Sequence, residues 1–285
     1  MKTIMILLNE PDESKEFIRY AILLAKELGV KVQVLYVQNP PVYPHQVNDT
    51  MSLAEAQVQD DIRQNAETTK NKVEEMIQEI KKEESAITTL EYIYEIGFPS
   101  NILEEKFANG QVEMIMLQGQ SDKALLSQPP STMKIIRNIK CPIWIIAPNT
   151  RYRPFKKIIY ATDYQEKDVT TIKRLIDLIQ PFTVEITTLH ISENDIFEEE
   201  LKNAGLNEIL KQKTGFDKIS AKLVKNKKGR DVAEILSEEA DSNYADLIVV
   251  LQENRSFIER IFKSSLTDKL IKKAHLPLLV FHEKI

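Results

Sequence analysis

The apolar stretch KTIMILLN, residues 2–9, returns as KKIIYATD at residues 156–163, an offset of 154 residues. Towards the end of each half, KCPIWII at residues 140–146 corresponds to HLPLLVF at residues 275–281, an offset of 135. Matches at two offsets indicate an internal repeat in which the first copy is about 19 residues longer. The chain therefore contains two copies of one structural unit.

Each copy alternates short β-branched runs with segments of helical periodicity. The strands predicted from this pattern are Thr3–Leu8, Lys31–Val37, Thr88–Tyr94, Glu113–Gln118, Ile143–Ile146, Lys157–Ala161, Val184–His190, Lys218–Val224, Asp246–Leu251 and Leu278–Phe281. The predicted helices are Glu13–Leu28, Ser52–Lys82, Ser100–Ala108, Thr132–Asn138, Asp168–Ile179, Ile196–Lys211, Asp231–Ser242 and Ile261–Lys273. Ser14 or Glu13 in the first copy and Asp168 in the second are predicted N-caps of the first helix.

The order of strands and helices predicts the fold class. Runs such as DLIVVL at residues 246–251 are apolar without alternation, as expected of central strands covered on both faces. Repeated strand–helix–strand units imply right-handed crossovers and a parallel sheet. We therefore predict an α/β protein with two tandem doubly wound five-stranded parallel-sheet domains, residues 1–148 and 155–285. The segment Pro148–Pro154 is the predicted linker.

The additional length of the first copy lies in an acidic segment. Apolar positions there are sparse and lie among many Glu, Gln, Asp and Lys residues, which predicts an extended helix over about residues 51–84 with a narrow apolar stripe. Two interpretations stay open. The helix covers the sheet and leaves its outer face in solvent, or it is an arm that contacts a partner.

Composition excludes several classes of protein. The 285 residues include a single cysteine, Cys141, which rules out an internal disulfide and cysteine-rich zinc sites and predicts a cytoplasmic protein. A net charge of −5 argues against nucleic acid as a partner. No apolar stretch approaches the ~20 residues of a membrane span, so no membrane association is expected. The four histidines are scattered without metal-ligand spacing, so no metal site is predicted.

Beyond the two strand openings quoted above, the second strands end Leu-Tyr36-Val37 and Leu-His190-Ile191, and the second copy adds the segments 229–236, 245–250 and 274–280. In the order and spacing of these features, both copies resemble the universal stress protein family. The resemblance implies an adenine-nucleotide-hydrolase-like fold, a cytoplasmic location and a role in stress tolerance. It also implies that the fifth strands of the two copies pair, so that one chain forms a pseudo-dimer.

Some members of this family bind ATP through a glycine motif that follows the fourth strand, since glycines allow backbone N–H groups to approach phosphates. In the second copy, Leu251, Asn254 and Ser264 stand where the three glycines belong, and no glycine follows Gly229. In the first copy only Gly119 lies near the loop, and neither plausible register restores the triple glycine. We therefore expect weak or absent ATP binding by the usual mode.

Parts of a nucleotide site remain in the second copy. By resemblance, Asp163 matches an aspartate that contacts the nucleoside, with Asn9 in its place in the first copy, and Ile191 and Val37 match the position whose backbone meets adenine. Asn254, Arg255, Ser264 and Ser265 offer a polar, cationic replacement for the glycine loop. The simpler interpretation is that Asp163 caps a turn and the others form solvated loop.

No constellation of catalytic residues is present, because the chain contains neither a nucleophile elbow nor a Walker A loop. The leading hypothesis is a non-enzymatic, tandem stress-response protein that binds a protein partner or a small-molecule ligand and needs no cofactor. The alternative is a protein whose second copy binds ATP or another adenine nucleotide, with weak hydrolysis or none. A homodimer of whole chains is a further assembly that the sequence leaves open.

Overall fold

The structure, a computed structural model, describes residues 2–40, 53–85, 89–119, 132–147, 150–192, 197–226, 229–252 and 276–283. Its strands are β1 Thr3–Leu8, β2 Lys31–Gln38, β3 Leu90–Ile96, β4 Met114–Gln118, β5 Ile143–Ile146, β6 Lys157–Ala161, β7 Glu185–Ser192, β8 Ile219–Lys225, β9 Leu247–Gln252 and β10 Leu278–His282. Each differs from its predicted bounds by two residues or fewer at either end.

The helices follow the predicted order. They are α1 Lys15–Leu28, α2 Leu53–Glu83, α3 Pro99–Ala108, α4 Thr132–Asn138, α5 Glu166–Leu178, α6 Phe197–Thr214 and α7 Val232–Ser242, with a short 3-10 helix at Pro11–Glu13. The eighth predicted helix, Ile261–Lys273, lies outside the described residues. None of the described helices is long and apolar enough to cross a membrane.

The described strands form one ten-stranded sheet in the order β3-β2-β1-β4-β5-β10-β9-β6-β7-β8. Within each half the strands are parallel and follow the same order, counted as 3-2-1-4-5. The α/β fold with two doubly wound halves is therefore confirmed. The exact boundaries 1–148 and 155–285 stay a prediction, although residues 150–156 do connect β5 to β6 without regular secondary structure.

The two halves join through their fifth strands. β5 and β10 pair antiparallel, with Trp144 opposite Leu279, so each strand covers the other's open edge. Trp144 is fully buried, and its ring stacks on Phe155 with centroids 5.8 Å apart and planes inclined by 10°. The expected pseudo-dimer is thus one continuous sheet, and Trp144 is both an interface residue and a core residue.

A buried histidine also ties the second half to the first. His282 ends β10, and its ring nitrogens lie 2.8 Å from the Cys141 carbonyl oxygen and 2.6 Å from the Ile136 carbonyl oxygen. Arg174 of α5 donates to the His282 carbonyl. Burial lowers the pKa of His282, against the raising effect of the two carbonyl acceptors. Because the ring belongs to β10 and both carbonyls belong to the first half, His282 bridges the two halves.

The core lies on both faces of the sheet. Alternate residues of β1 belong to two separate apolar clusters: Ile4 and Ile6 to one, Met5 and Leu7 to the other. The first cluster receives α1, α2, α5 and α6, and the second receives α3, α4 and α7. Both clusters contain residues from each half of the chain. The joined sheet thus has a shared core rather than two separate ones.

The extended helix α2 confirms the expected long helix and packs along α1. Its apolar stripe, Val73, Ile77 and Ile80, is buried in the core. Its acidic last turns lie against basic residues of α1: Lys15 is 2.6 Å from Glu79, and Arg19 contacts Glu83 and Glu84 at 2.7 and 2.6 Å. These partly exposed pairs orient α2 more than they stabilise it. The partner-arm interpretation stays a prediction.

The single thiol should be unreactive in the folded protein. Cys141 is buried beside β5, and burial raises its pKa to about 12. At pH 8 the folded protein should therefore react with a thiol-specific disulfide reagent at least about 100-fold more slowly than the chain in guanidinium chloride, since only an exposed thiolate attacks. Rapid labelling of the folded protein at one site would contradict this burial.

Candidate functional site

The candidate site lies at the edge of the sheet where β6 and β7 end. Thr162 follows β6, and its N–H donates to the Leu189 carbonyl of β7 at 3.0 Å. Asp163 comes next, with Oδ1 3.9 Å from His190 Nδ1. The carboxyl ends of parallel strands are the usual place for ligands in open α/β sheets. The fold thus brings Asp163 and the end of β7 together, as the sequence predicts.

Ile191 presents its backbone at this edge. Because the Leu189 carbonyl bonds to Thr162 on the β6 side, the N–H and C=O of Ile191, two residues further on, point to the same side. β6 has ended at that level. The Ile191 side chain is half-buried and packs against the core. A planar ring with adjacent donor and acceptor atoms matches backbone groups arranged in this way.

A buried carboxylate holds the loop that carries Asp163. Asp168 accepts from the Tyr160 hydroxyl at 2.7 Å, from the Thr162 hydroxyl and from the Gln165 N–H at 3.0 Å. It is almost fully buried, and this burial raises its pKa. The predicted N-cap role of Asp168 is wrong. Gln165 is the N-cap of α5, and Asp168 is the third helical residue, whose carboxylate reaches back to the cap N–H.

For the first half, the prediction of Ser14 as the N-cap residue is correct, but its side chain does not form the expected cap hydrogen bond. Ser14 is the N-cap residue of α1, yet its hydroxyl makes no cap hydrogen bond. It donates instead to the Glu10 carbonyl at 2.6 Å. Ser14 is fully buried, so the bond to Glu10 satisfies a hydroxyl that has no access to water.

Tyr164 has an unusual backbone conformation directly after Asp163. Its φ is 58°, in the left-handed region, which costs about 1 kcal/mol for a residue with a side chain. Three contacts hold it: its N–H donates to the Thr162 hydroxyl at 3.0 Å, its hydroxyl donates to Asn203 Oδ1 at 3.2 Å, and its ring lies 4.1 Å from the His190 ring. The phenol ring therefore lies across the end of β7.

His190 is the centre of a small polar cluster. Its Nδ1 is 2.7 Å from the Thr162 carbonyl oxygen, and its Nε2 is 3.2 Å from Glu199 Oε2 in the first turn of α6. A neutral ring that donates Nδ1–H to Thr162 turns its Nε2 lone pair towards Glu199, whereas a protonated ring would donate to both. The Glu199 contact is therefore a charge pair only when the ring is protonated. Lys202 lies 3.3 Å from the same carboxylate.

The remaining predicted residues cannot be placed at this edge. Asn254, Arg255, Ser264 and Ser265 lie outside the described residues. Their role as a replacement phosphate loop stays a prediction. What the structure brings together is therefore a polar strand edge, Asp163 with the Ile191 backbone, and beside it the rings of Tyr164 and His190.

The corresponding edge of the first half is aromatic instead of ionic. Tyr36 takes the place of His190, and its ring centroid lies 6.0 Å from that of Tyr94 on β3. Asn9, in place of Asp163, has its Nδ2 3.5 Å from the Gln118 carbonyl oxygen. The Gly119 N–H donates to the Ile146 carbonyl at 2.7 Å, so the one glycine near a predicted phosphate loop already uses its donor within the sheet.

Tyr164, Glu199 and Asn203 are not recognisable as site residues from the sequence alone. A histidine at the end of β7 was a weak signal that a carboxylate stands nearby. Nothing in the sequence indicated the left-handed backbone of Tyr164, because glycine and asparagine are the residues that usually adopt this conformation. Glu199 and Asn203 reach the site from α6, and helix periodicity does not reveal which strand end a helix covers.

Other features do not add a site to this edge. A groove of about 810 Å³ lies between α2 and β3 and is lined by Glu74, Glu75, Ile77, Leu90 and Tyr92 among others. It belongs to the outer edge of the first half. Within the described ranges, no three His, Cys, Asp or Glu side chains are grouped so as to hold a metal ion.

Comparison with known proteins gives consistent matches over the whole chain. The Universal stress protein family profile matches residues 1–147 and 154–282. The chain is 22% identical to Universal stress protein Slr1230 of Synechocystis over 99% of this chain and 100% of that protein. It is 25% identical to Universal stress protein MJ0531 of Methanocaldococcus jannaschii over 44% of this chain and 81% of that protein. The crystal structure of a universal stress protein from Archaeoglobus fulgidus superposes with a TM-score of 0.69 at 15% identity, covering 99% and 96% of the two chains.

Proposed function

The chain belongs to the universal stress protein family in both halves, and from this premise we propose that it is a cytoplasmic, non-enzymatic stress-response protein that acts by binding a ligand or a protein partner without strong ATP binding. The tandem arrangement supports this proposal, because the halves already supply each other's pairing strand. One chain therefore has two candidate binding edges, which differ in chemistry.

The observation that carries the proposal is the charge of the second edge. Asp163 and Glu199 both present carboxylates beside His190, and Asp168 lies buried beneath them. A triphosphate needs cations or convergent backbone N–H groups. Neither carboxylate supplies such a group, and the cation beside them, Lys202, is already paired with Glu199. The described part of this edge thus favours a neutral or cationic ligand over ATP.

The lack of glycines at the phosphate-loop positions also argues against strong ATP binding. Phosphate loops need residues without a Cβ so that the backbone can approach the ligand closely. The second half contains no glycine beyond Gly229. In the first half, the N–H of Gly119 is already bonded to Ile146. Neither half therefore provides the usual phosphate cradle from its described residues.

A second candidate function is adenine-nucleotide binding by the second half, with weak hydrolysis or none. The specific observation in its favour is the placement of Asp163 next to the outward-directed backbone of Ile191. A carboxylate accepts hydrogen bonds from ribose hydroxyls, and backbone N–H and C=O groups match an adenine edge. The phosphates would then depend on Asn254, Arg255, Ser264 and Ser265.

The two candidate functions predict different results when ATP is titrated into the protein in a calorimeter. We expect the purified protein to release no nucleotide on extraction, as measured by mass spectrometry, and to show no saturable heat with ATP up to millimolar concentration. We also expect no release of inorganic phosphate from ATP. The physical reason is that neither half offers, from its described residues, the cradle of backbone N–H groups that a triphosphate needs.

Two matched variants make the test specific. Asp163→Ala removes the carboxylate at the edge of the second half, and Asn9→Ala changes the corresponding position of the first half. Micromolar ATP binding that is lost in Asp163→Ala and kept in Asn9→Ala would overturn the leading proposal and establish the second candidate.

A further inference from the structure

Helix α6 carries an exposed apolar ridge on the face that points away from the sheet. Phe197, Leu201 and Ile209 are 72%, 56% and 47% exposed. They share the spacing of four residues with Gly205, which is exposed as well. The opposite face buries Leu206 and Leu210 in the core. The helix is therefore apolar on two faces, and among the described residues only the inner one is covered.

The position of this helix in the fold does not require such a ridge. In the first half the corresponding helix is α2, which likewise follows the second strand of its half and packs into the same core cluster. Between residues 57 and 83, α2 has no large exposed apolar side chain. Because both helices pack into the same core cluster and only α6 carries an exposed apolar ridge, packing against the sheet does not explain the ridge.

Gly205 is unexplained by packing within the chain. A Cβ placed on it would meet no atom within 4 Å, and its backbone is helical without a positive φ. A glycine in a helix interior costs about 1 kcal/mol relative to alanine. No contact with the described residues accounts for a glycine at this position. A residue without a side chain in the middle of an apolar ridge lets another helix approach closely.

We propose that the Phe197–Ile209 ridge of α6 is a homodimer interface, in which two copies of the chain pack their α6 helices antiparallel about a two-fold axis at Gly205. Residues spaced by four form the ridges used in the commonest class of helix packing, which crosses at about −50°. In a two-fold interface centred on Gly205, Leu201 of one copy meets Ile209 of the other, and the reverse contact forms as well.

The charges of α6 suit a second copy of the same helix. Its first turn is acidic, with Glu198, Glu199 and Glu200, and its last turn is basic, with Lys211 and Lys213. Antiparallel packing brings the acidic end of each helix towards the basic end of the other. The same symmetry places Lys202 of one copy opposite Glu208 of the other on both sides of the crossing. The charge pattern thus favours an antiparallel pair and disfavours a parallel one.

The ridge is short, so the dimer should be weak. A single pair of crossing helices falls at the small end of specific interfaces, below about 1,200 Å² of buried surface. We expect dissociation in the micromolar range, and therefore a monomer–dimer equilibrium that depends on protein concentration. Dimerisation through this ridge does not depend on nucleotide binding.

Sedimentation velocity of the full chain over a wide concentration range tests the proposal. The wild type should shift from monomer to dimer, and Leu201→Asp should raise the dissociation constant at least about 10-fold. Gly205→Ala should weaken the dimer while raising the melting temperature, because alanine is the better helix former. Phe98→Asp is the matched control: Phe98 is 57% exposed, lies in the first half, and occupies an N-cap position that tolerates aspartate.

Charge reversal supplies a second, independent measurement. Lys202→Glu should weaken the dimer, and adding Glu208→Lys to the same chain should restore it to within about threefold, because the pair across the axis re-forms with opposite sign. Gly205→Cys should give a disulfide-linked dimer under mild oxidation, whereas Phe98→Cys should not.

Three results would overturn the proposal. One is a wild-type chain that stays monomeric at every concentration. Another is a dimer that Leu201→Asp and Gly205→Ala leave unchanged, which would place the interface elsewhere. The third is a monomeric chain whose ridge binds anionic lipid vesicles, since that would assign the ridge to a membrane surface.

Discussion

Replacing Trp144 with alanine should lower the free energy of unfolding by about 3–5 kcal/mol, the usual cost of removing a large buried aromatic side chain. Trp144 is fully buried and stacked on Phe155. It also lies opposite Leu279 in the strand pair that joins the halves. A cavity at this place loosens both the shared core and the β5–β10 pairing, so both halves should lose stability.

Urea denaturation followed by far-ultraviolet circular dichroism measures this loss, because the variant lacks the protein's single tryptophan. Trp144→Phe is the control. It keeps an aromatic ring against Phe155 and should cost only about 1–2 kcal/mol. An unfolding free energy of Trp144→Ala within about 0.5 kcal/mol of the wild type would show that the strand junction is not a centre of stability.

Asp168→Ala should destabilise the protein by about 3 kcal/mol. The substitution removes the acceptor for the hydroxyls of Tyr160 and Thr162 and for the Gln165 N–H. Both hydroxyls belong to buried residues and would lose a partner where water does not reach. An unsatisfied buried polar group costs about 1–3 kcal/mol, and members of one network lose their bonds together. The loop that carries Asp163 should also become more mobile.

The Trp144 fluorescence of this variant reports its urea denaturation directly. Asp168→Asn is the matched control, since it keeps the shape of the side chain but offers one acceptor oxygen instead of two. It should lose about 1–2 kcal/mol. If Asp168→Ala unfolds at the same urea concentration as the wild type, the network contributes nothing to stability.

The difference in unfolding free energy between the wild type and Asp168→Asn should depend on pH, because the pKa of Asp168 is raised in the folded protein. Burial makes the folded carboxyl bind its proton at a higher pH than the unfolded one. A raised folded pKa contributes stability that is present in full below the unfolded pKa and is lost as pH rises through the folded pKa. The stability advantage of wild type over Asp168→Asn should therefore widen between neutral pH and about pH 4.

The elements of the fold were predictable because each depends on a local pattern. The run at residues 247–251 is apolar throughout, and it lies in β9, buried on both faces. In helix α2, Val73, Ile77 and Ile80 are spaced by four and three residues, and all three are buried. Such patterns reflect the backbone period, which a single segment carries without reference to the rest of the chain.

The candidate site was predictable only in its strand-end positions. Asp163 and Ile191 lie together because parallel strands end at one edge, a rule that needs strand order alone. The left-handed Tyr164, the Glu199 contact of His190 and the third-residue role of Asp168 depend on how α5 and α6 lie over the sheet. Residues 162 and 168, or 190 and 199, show no periodicity that would announce these contacts.

Repetition and composition were enough to predict two copies of one α/β unit and to show a shortage of glycine unsuited to a phosphate loop, and the resemblance to a family added the strand through which the copies join. These features are local or countable. The polar cluster around His190, the bridge from His282 to the first half and the exposed ridge of α6 became visible only in the folded chain. Each of them depends on distances between segments that are remote in sequence, and such distances are set by the packing of the whole sheet.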